Sequence, residues 1–374
     1  MRALPARVFR VVPGLALAAA VMLAAGELAR LLGAGLLRLQ GLDPAGRPSP
    51  VSGISVAILL GLAAANTVGT AAVFRPGLAF AVKRVLRLGI ILVGLKLSFF
   101  DVVTLGAWGV PVVAAIILVA LVVTTAFARA LGLSDRLGAL AAASTAICGI
   151  TAAVAVGPTI DAEESEVAYT VANVTLFGLV AMLTYPFLAH ALFPASPGSV
   201  GLFLGTGIHD TSQVMGAALS YREMFGDEKA LQVATVTKLT RNVFLVAVVP
   251  LLAFLHARRT GKRGGRMQVA RYFPLFVLGF LALAIARSLG DAGLAAGGRA
   301  FGVWDAGAWK QFVKSAGETW AAALLGTAMA GVGLTTDFKS LAVLGGKPLA
   351  VGALSAALVA ALALLLAALV GPHL

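Results

Sequence analysis

"GIHDTSQVMG", residues 207–216, places five consecutive polar side chains inside a stretch that is otherwise nearly all Gly, Leu, Phe, Val and Ala. In the hydrocarbon of a membrane such groups find no partners, and each unsatisfied group costs several kcal/mol. Gly205, Gly207 and Gly216 flank the run. Glycine weakens a helix and lets another backbone approach closely. The stretch therefore predicts a helix that is interrupted at membrane depth, where it is buried in protein or lines a cavity.

The composition of the whole chain supports a membrane setting. Of the 374 residues, 60% are hydrophobic and only 12% are charged, and the mean hydropathy is +0.97. Soluble globular chains carry roughly 25% charged residues, so a soluble globular class is excluded. The sequence predicts an all-α polytopic membrane protein. The single cysteine, Cys148, excludes an intramolecular disulfide.

The hydropathy pattern predicts about 11 transmembrane helices, since each span needs about 20 residues. The predicted spans are 11–37, 53–72, 78–99, 107–128, 137–158, 168–192, 201–220, 231–256, 272–289, 316–335 and 348–371. Residues 1–52 are predicted to form an additional N-terminal helix and loop. Residues 53–192 and 200–374 are predicted to form two inverted five-helix repeats.

Loop charges predict the orientation. The basic residues at the predicted span ends are Arg2, Arg7, Arg10, Arg75, Lys83, Arg84, Arg87, Arg129, Arg136, Arg258, Arg259, Lys262, Arg263, Arg266 and Arg271. They fall on one side, while the acidic connection Asp161–Glu166 is predicted on the other. Because cytoplasmic loops collect Lys and Arg, we expect a multi-pass protein of the cell inner (plasma) membrane with a cytoplasmic N-terminus. The same rule explains the net charge of +13 without a nucleic-acid partner.

A shift of 237 residues aligns two similar segments. "LGIILVGLKLS" at 88–98 then faces "LGTAMAGVGLT" at 325–335. The predicted third and tenth spans run in opposite directions, so this repeat would be inverted, as in secondary transporters. A pairing of spans two to six with spans seven to eleven is equally compatible with the sequence.

The fifth predicted span, "STAICGITAAVAVGP" at 144–158, contains small and weakly polar residues. We expect a second interrupted helix here that crosses the first, with Thr145, Cys148 and Gly149 lining the substrate. The alternative is close helix packing, which small residues also permit.

The eighth predicted span contains "ATVTKLTRNVF" at 234–244, in which Lys238 and Arg241 share a helix face. Each cation at mid-membrane costs about 2.5–3.5 kcal/mol, so such residues are functional by default. Asp210 is expected to neutralise one of them, and an anionic ligand would balance the other. The alternative is a purely structural ion network of these three residues. Lys96, near the end of the third span, is expected to extend towards the interface.

Four segments occur in a specific order: "STAICGITAAVAVGP", "LFGLVAMLTYP" at 176–186, "GIHDTSQV" and "ATVTKLTRNVF". Together they resemble the YeiH-like sulfate exporter family, a label given at the family level. The resemblance extends over nearly the whole chain after about residue 50. It implies kinship with bile-acid symporter-like and sodium/proton antiporter-like transporters. Their ten-helix inverted-repeat core contains two crossing interrupted helices and lies beside a panel domain.

These observations predict a secondary active transporter of a small anion, either sulfate or an organosulfonate, and not an enzyme. The expected substrate-binding residues are Thr145, Cys148, Gly149, His209, Asp210, Thr211, Ser212, Gln213, Lys238 and Arg241. The candidates for holding a coupling Na⁺ or H⁺ are Asp210, His209 and Thr145. No metal or other cofactor is expected, and the partners are the anion, the lipid bilayer and a possible second copy of the chain.

Two alternatives remain open at the level of sequence. One is an anion channel, which needs a continuous pore. The other is an intramembrane hydrolase using His209, Asp210 and Ser212, which requires side chains that converge on an oxyanion hole.

Overall fold

The computed structural model describes residues 4–45, 47, 49–260, 272–338 and 345–374. Within these ranges the chain forms helices and turns and no β-strand. The α-helices are α1 Leu4–Leu39, α2 Gly53–Thr67, α3 Arg75–Phe80, α4 Leu86–Val93, α5 Phe99–Ala130, α6 Asp135–Ala146, α7 Ile150–Val156, α8 Glu164–Leu192, α9 Pro197–Gly207, α10 Thr211–Phe225, α11 Glu228–Val243, α12 Leu245–Thr260, α13 Phe276–Gly297, α14 Ala306–Lys314, α15 Ala321–Thr335 and α16 Gly346–Val370. The predicted all-α class is confirmed.

Six helical stretches of the described chain are long and apolar enough to cross a membrane. They are Arg10–Leu39, Phe99–Ala130, Glu164–Leu192, Glu228–Thr260, Phe276–Gly297 and Gly346–His373. The other predicted spans coincide with shorter or segmented helices. Several apolar helices of spanning length support a multi-pass membrane protein.

The chain divides into two compact units, each made of three segments. Unit 1 comprises Met1–Thr104, Met215–Gln232 and Leu275–Asp337, and unit 2 comprises Leu105–Val214, Val233–Pro274 and Phe338–Leu374. Each unit draws on both of the predicted repeats. Units 1 and 2 therefore do not correspond to the two predicted repeats.

Unit 1 is held together by close packing of small residues. Gly61 of α2 lies against α15, where an added Cβ would be 2.8 Å from the backbone nitrogen of Leu334. Ala57 and Ala330 are fully buried in the same core. Small residues at such contacts allow two helix backbones to approach closely.

Two helices of unit 1 contain a π-helical turn. Ala81–Val85 joins α3 to α4, and Ser315–Trp320 joins α14 to α15. A π-helical turn accommodates an extra residue in a helix and occurs often near functional sites.

Lys96, expected to extend towards the interface, is ion-paired with two partly exposed glutamates. Only 8% of its side chain is exposed, and its Nζ lies 2.6 Å from Glu228 and 3.5 Å from Glu318. Both carboxylates come from segments distant in sequence, and the packing of unit 1 brings them to the lysine. A largely buried ammonium group needs such a partner, because an unpaired buried charge is costly.

In unit 2, the fifth predicted span is a helical hairpin rather than a membrane crossing. The hydroxyl of Ser134, before α6, donates to the carboxylate of Glu166 at 2.6 Å. The guanidinium of Arg136 donates to the carbonyl of Asp161 at 3.0 Å. The two ends of the α6–α7 segment therefore lie together. The acidic connection Asp161–Glu166 lies beside Ser134 and Arg136, at the same end of unit 2. The prediction that it lies on the side opposite the basic α5–α6 connection is therefore wrong.

The hairpin has a simple physical basis. Its first helix, α6, contains 12 residues and is roughly 18 Å long, whereas the hydrocarbon core is about 30 Å thick. Gly149 then reverses the chain with φ +58° and ψ −114°, in a region of positive φ that residues with a Cβ rarely adopt.

Basic residues meet at the same end of unit 2. Arg259 at the end of α12 and Arg129 at the end of α5 lie 3.4 and 3.5 Å from the carboxylate of Asp135. The rest of the predicted basic cluster, Lys262 to Arg271, lies outside the described residues, as does Arg2. The sequence predicted that the connection after α5 and the connection after α12 lie on one side. The contacts of Arg129 and Arg259 with Asp135 are consistent with this prediction.

Candidate functional site

The helix containing "GIHDTSQVMG" is interrupted, as predicted. Helix α9 ends at Gly207, residues 208–210 are not helical, and α10 begins at Thr211. The carboxylate of Asp210 accepts hydrogen bonds from the backbone nitrogen of Ser212 at 2.9 Å and from its hydroxyl at 2.5 Å. Asp210 therefore caps α10, and its charge complements the positive end of the helix dipole.

The two breaks meet, which confirms their predicted approach. A Cβ built on Gly149 would lie 3.3 Å from the Cβ of Asp210. The sequence predicted that two interrupted helices cross here, and this prediction is wrong for the first of them. The α6–α7 segment contributes the tip of a hairpin to this contact, not the middle of a membrane-spanning helix.

Lys238 of α11 is fully buried and bonds to both breaks. Its Nζ donates to the carbonyl of Ile147 at 3.1 Å, to that of Ile208 at 3.1 Å and to that of His209. An ammonium group has three donors, and each of them has an acceptor here.

Arg241, one helical turn further along α11, is also fully buried and also donates hydrogen bonds to backbone carbonyls at the two breaks. Its Nε donates to Ala146 at 2.7 Å, its Nη1 to Thr206 at 2.6 Å, and its Nη2 to Thr145. A guanidinium presents five donors in a planar fork. Arg241 thereby joins the end of α6 to the end of α9.

These carbonyls are the ones that the helix ends leave without partners. At the end of α6, the carbonyls of Ala143 and Ser144 accept from the backbone nitrogens of Ile147 and Gly149 at 3.1 and 3.0 Å. The next two carbonyls accept from Arg241. A helix leaves its last four carbonyls unpaired, and its C-terminal dipole favours a cation.

Asp210 does not form the expected ion pair. Across the part of the chain that the structure describes, no oxygen of Asp210 lies within 4.0 Å of the charged nitrogens of Lys238 or Arg241. The helix ends supply the negative partial charge instead, because they lie closer to the cations. A buried network does exist around Lys238 and Arg241, but its acceptors are backbone carbonyls.

The remaining predicted residues surround this centre. Thr211 accepts a hydrogen bond from Asn242 of α11 at 3.1 Å. The Nε2 of Gln213 donates to the carbonyl of Thr175 in α8 at 3.1 Å. Cys148 is a buried free thiol in the turn between α6 and α7. All ten predicted site residues belong to unit 2.

The hydrolase alternative requires Ser212 to bond a general base. The hydroxyl of Ser212 donates to Asp210, and the buried Nδ1 of His209 has no hydrogen-bond partner within the described chain. This arrangement lacks the bond from serine to histidine that a catalytic triad needs.

A small pocket lies within unit 2 beside the breaks. Its lining residues are Leu133, Leu137, Ala141, Thr145, Tyr169, Thr170, Asn173, Val174, Phe177, His209, Pro348, Val351 and Gly352. Of the predicted residues, Thr145 and His209 reach it. Sequence analysis missed Tyr169, Thr170 and Asn173. Their three- and four-residue spacing places them on one face of α8, and this polar stripe in an apolar helix was a usable signal.

Several buried polar atoms around the two breaks accept or donate no hydrogen bond to any described residue. They are the Nδ1 of His209, the Oδ1 of Asn173, the Oε1 of Gln213 and the Oγ of Ser144. Buried polar groups in proteins are nearly always paired, with protein, water or a ligand. The concentration of such atoms marks this region as a candidate binding site.

Comparison with known proteins places the chain in a family. The model of the family described as conserved hypothetical protein 698 matches residues 28–352. The chain belongs to this family. Family members include a UPF0324 membrane protein of Corynebacterium glutamicum, 34% identical over 321 residues that cover 84% of this chain and 85% of that protein.

Further relatives extend the same description. A UPF0324 membrane protein of Bacillus cereus is 30% identical over 297 residues, 79% of this chain and 81% of the relative. A UPF0324 membrane protein of Nitratidesulfovibrio vulgaris is 32% identical over 242 residues, and the match spans 65% of that relative. No solved structure matches the chain. Membership of a family of membrane proteins agrees with the apolar helices described above.

Proposed function

We propose that this protein is a secondary active transporter of a small anion. The observation that carries the proposal is the meeting of two helix breaks, at Gly149 and Asp210, which two buried cations of α11 join. Interrupted helices at membrane depth are typical of transporter binding sites, because irregular backbone is tolerated there only in protein or beside a cavity.

Charge favours an anion. Two buried cations of α11, Lys238 and Arg241, and the carboxylate of Asp210 lie at the breaks. Each break presents one positive and one negative helix end, so the dipoles roughly cancel. An excess of about one positive charge remains, and a low-dielectric surrounding strengthens its attraction for an anion. In this proposal the cations hold the two breaks together and attract the anion through space, while the pocket residues contact it.

We further propose inverted repeats that include about eleven membrane segments, of which residues 135–160 and 197–225 form two re-entrant hairpins. The second hairpin is needed because α12 ends beside Asp135, at the same end as α5. The two π-helical turns support the repeats. The shift of 237 residues that aligns 88–98 with 325–335 carries Ala81–Val85 onto 318–322, which overlaps Ser315–Trp320. Two similar helices of unit 1 thus share the same irregularity at a comparable position.

The proposed location is the plasma membrane, with a cytoplasmic N-terminus. The ends of α5 and α12 support it, because Arg129 and Arg259 lie together near Asp135. Positive residues at short loops face the cytoplasm.

Counterflow in proteoliposomes tests the function. Purified protein is reconstituted with unlabelled sulfate, sulfite or an alkanesulfonate inside, and uptake of the labelled anion is measured with and without sodium or pH gradients. A transporter shows faster labelled uptake when unlabelled anion is present on the far side. A channel shows uptake that follows the membrane potential without this stimulation. Absence of uptake for every anion would overturn the proposal.

A further inference from the structure

Helix α1 has an ion pair on the outside of unit 1. The Nε and Nη2 of Arg30 donate to one carboxylate oxygen of Glu27, Oε2, at 3.0 and 2.8 Å. Both side chains are largely exposed, 68% for Arg30 and 69% for Glu27. Neither Oε1 of Glu27 nor Nη1 of Arg30 makes a hydrogen bond within the described ranges of the chain. The pair therefore presents an acceptor and a donor to its surroundings.

The length of the apolar helix determines what surrounds this pair. Helix α1 contains one of the stretches that are long and apolar enough to cross a membrane, Arg10–Leu39. Large apolar side chains are exposed near both of its ends, at Val12 and at Leu39. These two residues are about 40 Å apart along the helix axis, whereas the hydrocarbon core of a membrane is about 30 Å thick. Glu27 lies between them, about 22 Å from Val12.

No position of a lone α1 in a membrane suits both its apolar ends and the ion pair. A tilt of about 40° would bring both ends into the hydrocarbon. The ion pair would then lie near the middle of the hydrocarbon, where each charge costs about 2.5–3.5 kcal/mol. If the ion pair lies at the membrane surface instead, the last turns of α1 stand in water with an apolar patch. The exposed side chains of this patch are Leu31, Leu32, Leu36 and Leu39. Helix α1 therefore needs a protein surface beside it.

The side of α1 that points away from unit 1, here called the outward face, contains small residues that allow close packing. Its residues recur at intervals of three and four, so they share one side of the helix. They are the exposed residues Ala16, Ala20, Leu23, Glu27 and Leu31. The opposite side, with the buried Ala18, Ala25 and Ala29, packs in the core of unit 1. Small residues four apart let a second helix backbone approach closely in a membrane.

The charges of the outward face complement those of a second copy of the chain. Two parallel copies related by a two-fold axis along the membrane normal present the same face to each other, with equal positions at equal height. Glu27 and Arg30 differ in height by about 4.5 Å, which their long side chains cover. Glu27 of one copy then accepts from the partner's Arg30, and the partner's Glu27 accepts from Arg30 of the first copy. Lipid tails offer these charges no such partner.

We infer that two copies of this chain associate through the outward face of α1, with Glu27 of each copy paired with Arg30 of the other. The contact covers the exposed ion pair with protein and places the leucines of one copy against those of the other. This inference does not depend on the proposed transport, because association is measured without any anion.

Disulfide cross-linking in native membranes locates the contact. Cys148 is first replaced by alanine, and single cysteines are introduced by Ala20→Cys or Leu31→Cys. Leu118→Cys is the matched control, because Leu118 of α5 is 65% exposed, similar to Leu31 at 60%, but belongs to unit 2. After mild oxidation we expect a disulfide-linked dimer for Ala20→Cys and Leu31→Cys, and a monomer for Leu118→Cys.

A charge exchange separates pairing between copies from pairing within one helix. Glu27→Arg gives the outward face two cations, and Arg30→Glu gives it two anions. Either variant alone places like charges opposite each other, so its self-association should fall by about tenfold or more. When the two variants are co-expressed with different tags, opposite charges face each other again, and each tag should co-purify the other as in the unaltered protein. Pairing within one helix predicts no recovery, because both chains lack it.

Three outcomes would overturn the inference. Failure of the unaltered protein to co-purify with a second tagged copy would show that lipid or another protein covers α1. Absence of a disulfide-linked dimer for both Ala20→Cys and Leu31→Cys would place the contact elsewhere. Loss of association in both charge variants without recovery on mixing, or no loss in either, would show that Glu27 and Arg30 do not pair between copies. The cysteine variants keep both charges, so misfolding of a charge variant does not prevent the test.

Discussion

Gly149 lies directly against Asp210, so that a Cβ at position 149 would be 3.3 Å from the Cβ of the aspartate. One residue is the turn of a hairpin, and the other caps the helix that follows the second break. This contact joins two segments that are about 60 positions apart in the sequence, and it makes each break dependent on the other.

The first prediction concerns this contact. Gly149→Ala should destabilise the protein by about 1–3 kcal/mol, because its positive φ is strained for a residue with a Cβ and the new methyl presses on Asp210. Thermal unfolding in detergent measures the effect. Gly106→Ala is the control, since nothing lies within 4 Å of a Cβ built there; it should be neutral or slightly stabilising. Equal melting temperatures for both variants would contradict the prediction.

The second prediction concerns Arg241. Arg241→Lys keeps the charge but loses the planar fork that reaches Ala146, Thr206 and Thr145 together. Hydrogen bonds to charged groups contribute about 1.5–3 kcal/mol each, so we expect a loss of about 3 kcal/mol of stability. Thermal unfolding of purified protein is again the measurement, with the exposed Arg258→Lys as control. A fully stable Arg241→Lys protein would show that the carbonyls do not need the fork.

The third prediction separates a network of carbonyls from an ion pair. If Asp210 were the partner of Lys238, Asp210→Asn would rescue Lys238→Ala by removing an unpaired carboxylate. Because Lys238 bonds backbone carbonyls and Asp210 caps α10, we expect no rescue. The yield of folded double variant in the membrane should be no higher than that of Lys238→Ala. A clear recovery of folded protein would restore the ion-pair interpretation.

The fourth prediction tests the hairpin. In a background in which Cys148 is replaced by alanine, single cysteines are placed at the exposed positions Ser165, Thr260 and Ala195. The contacts of Ser134 with Glu166 and of Arg259 with Asp135 place the first two positions on one side. An impermeant thiol reagent added to intact cells should label only the cysteine at 195. External labelling at 165 would show that α6 and α7 cross the membrane.

The fifth prediction concerns Lys96. Its pair with Glu228 is partly exposed on the glutamate side, so solvent screening limits its value. A double-mutant cycle of Lys96→Met and Glu228→Gln should give a coupling energy of about 1 kcal/mol. Lys310→Met, at an exposed position of α14, should leave stability unchanged. A coupling energy near zero would mean that the two charges do not stabilise unit 1.

Much of this architecture follows from the sequence alone. The low charge content predicts apolar helices in a membrane, because no soluble core has room for so many apolar side chains. The glycines around His209 and Asp210 predict a break, since glycine favours the departure from helix and the polar side chains need partners there. The three-residue spacing places Lys238 and Arg241 on one face of α11. These are local properties, and local sequence encodes them.

Tertiary structure decided the rest. Hydropathy is the same for a helix that crosses a membrane and for one that turns back halfway, so only the contact of Ser134 with Glu166 identified the hairpin. The partners of Lys238 are backbone carbonyls. Every residue has one, so no pattern of side chains in the sequence can predict which carbonyls bind the lysine. Asn173 became part of the candidate site because α8 packs beside α6. A buried polar group forms a hydrogen bond with whichever partner the fold brings within about 3 Å. The identity of that partner cannot be predicted from the local sequence.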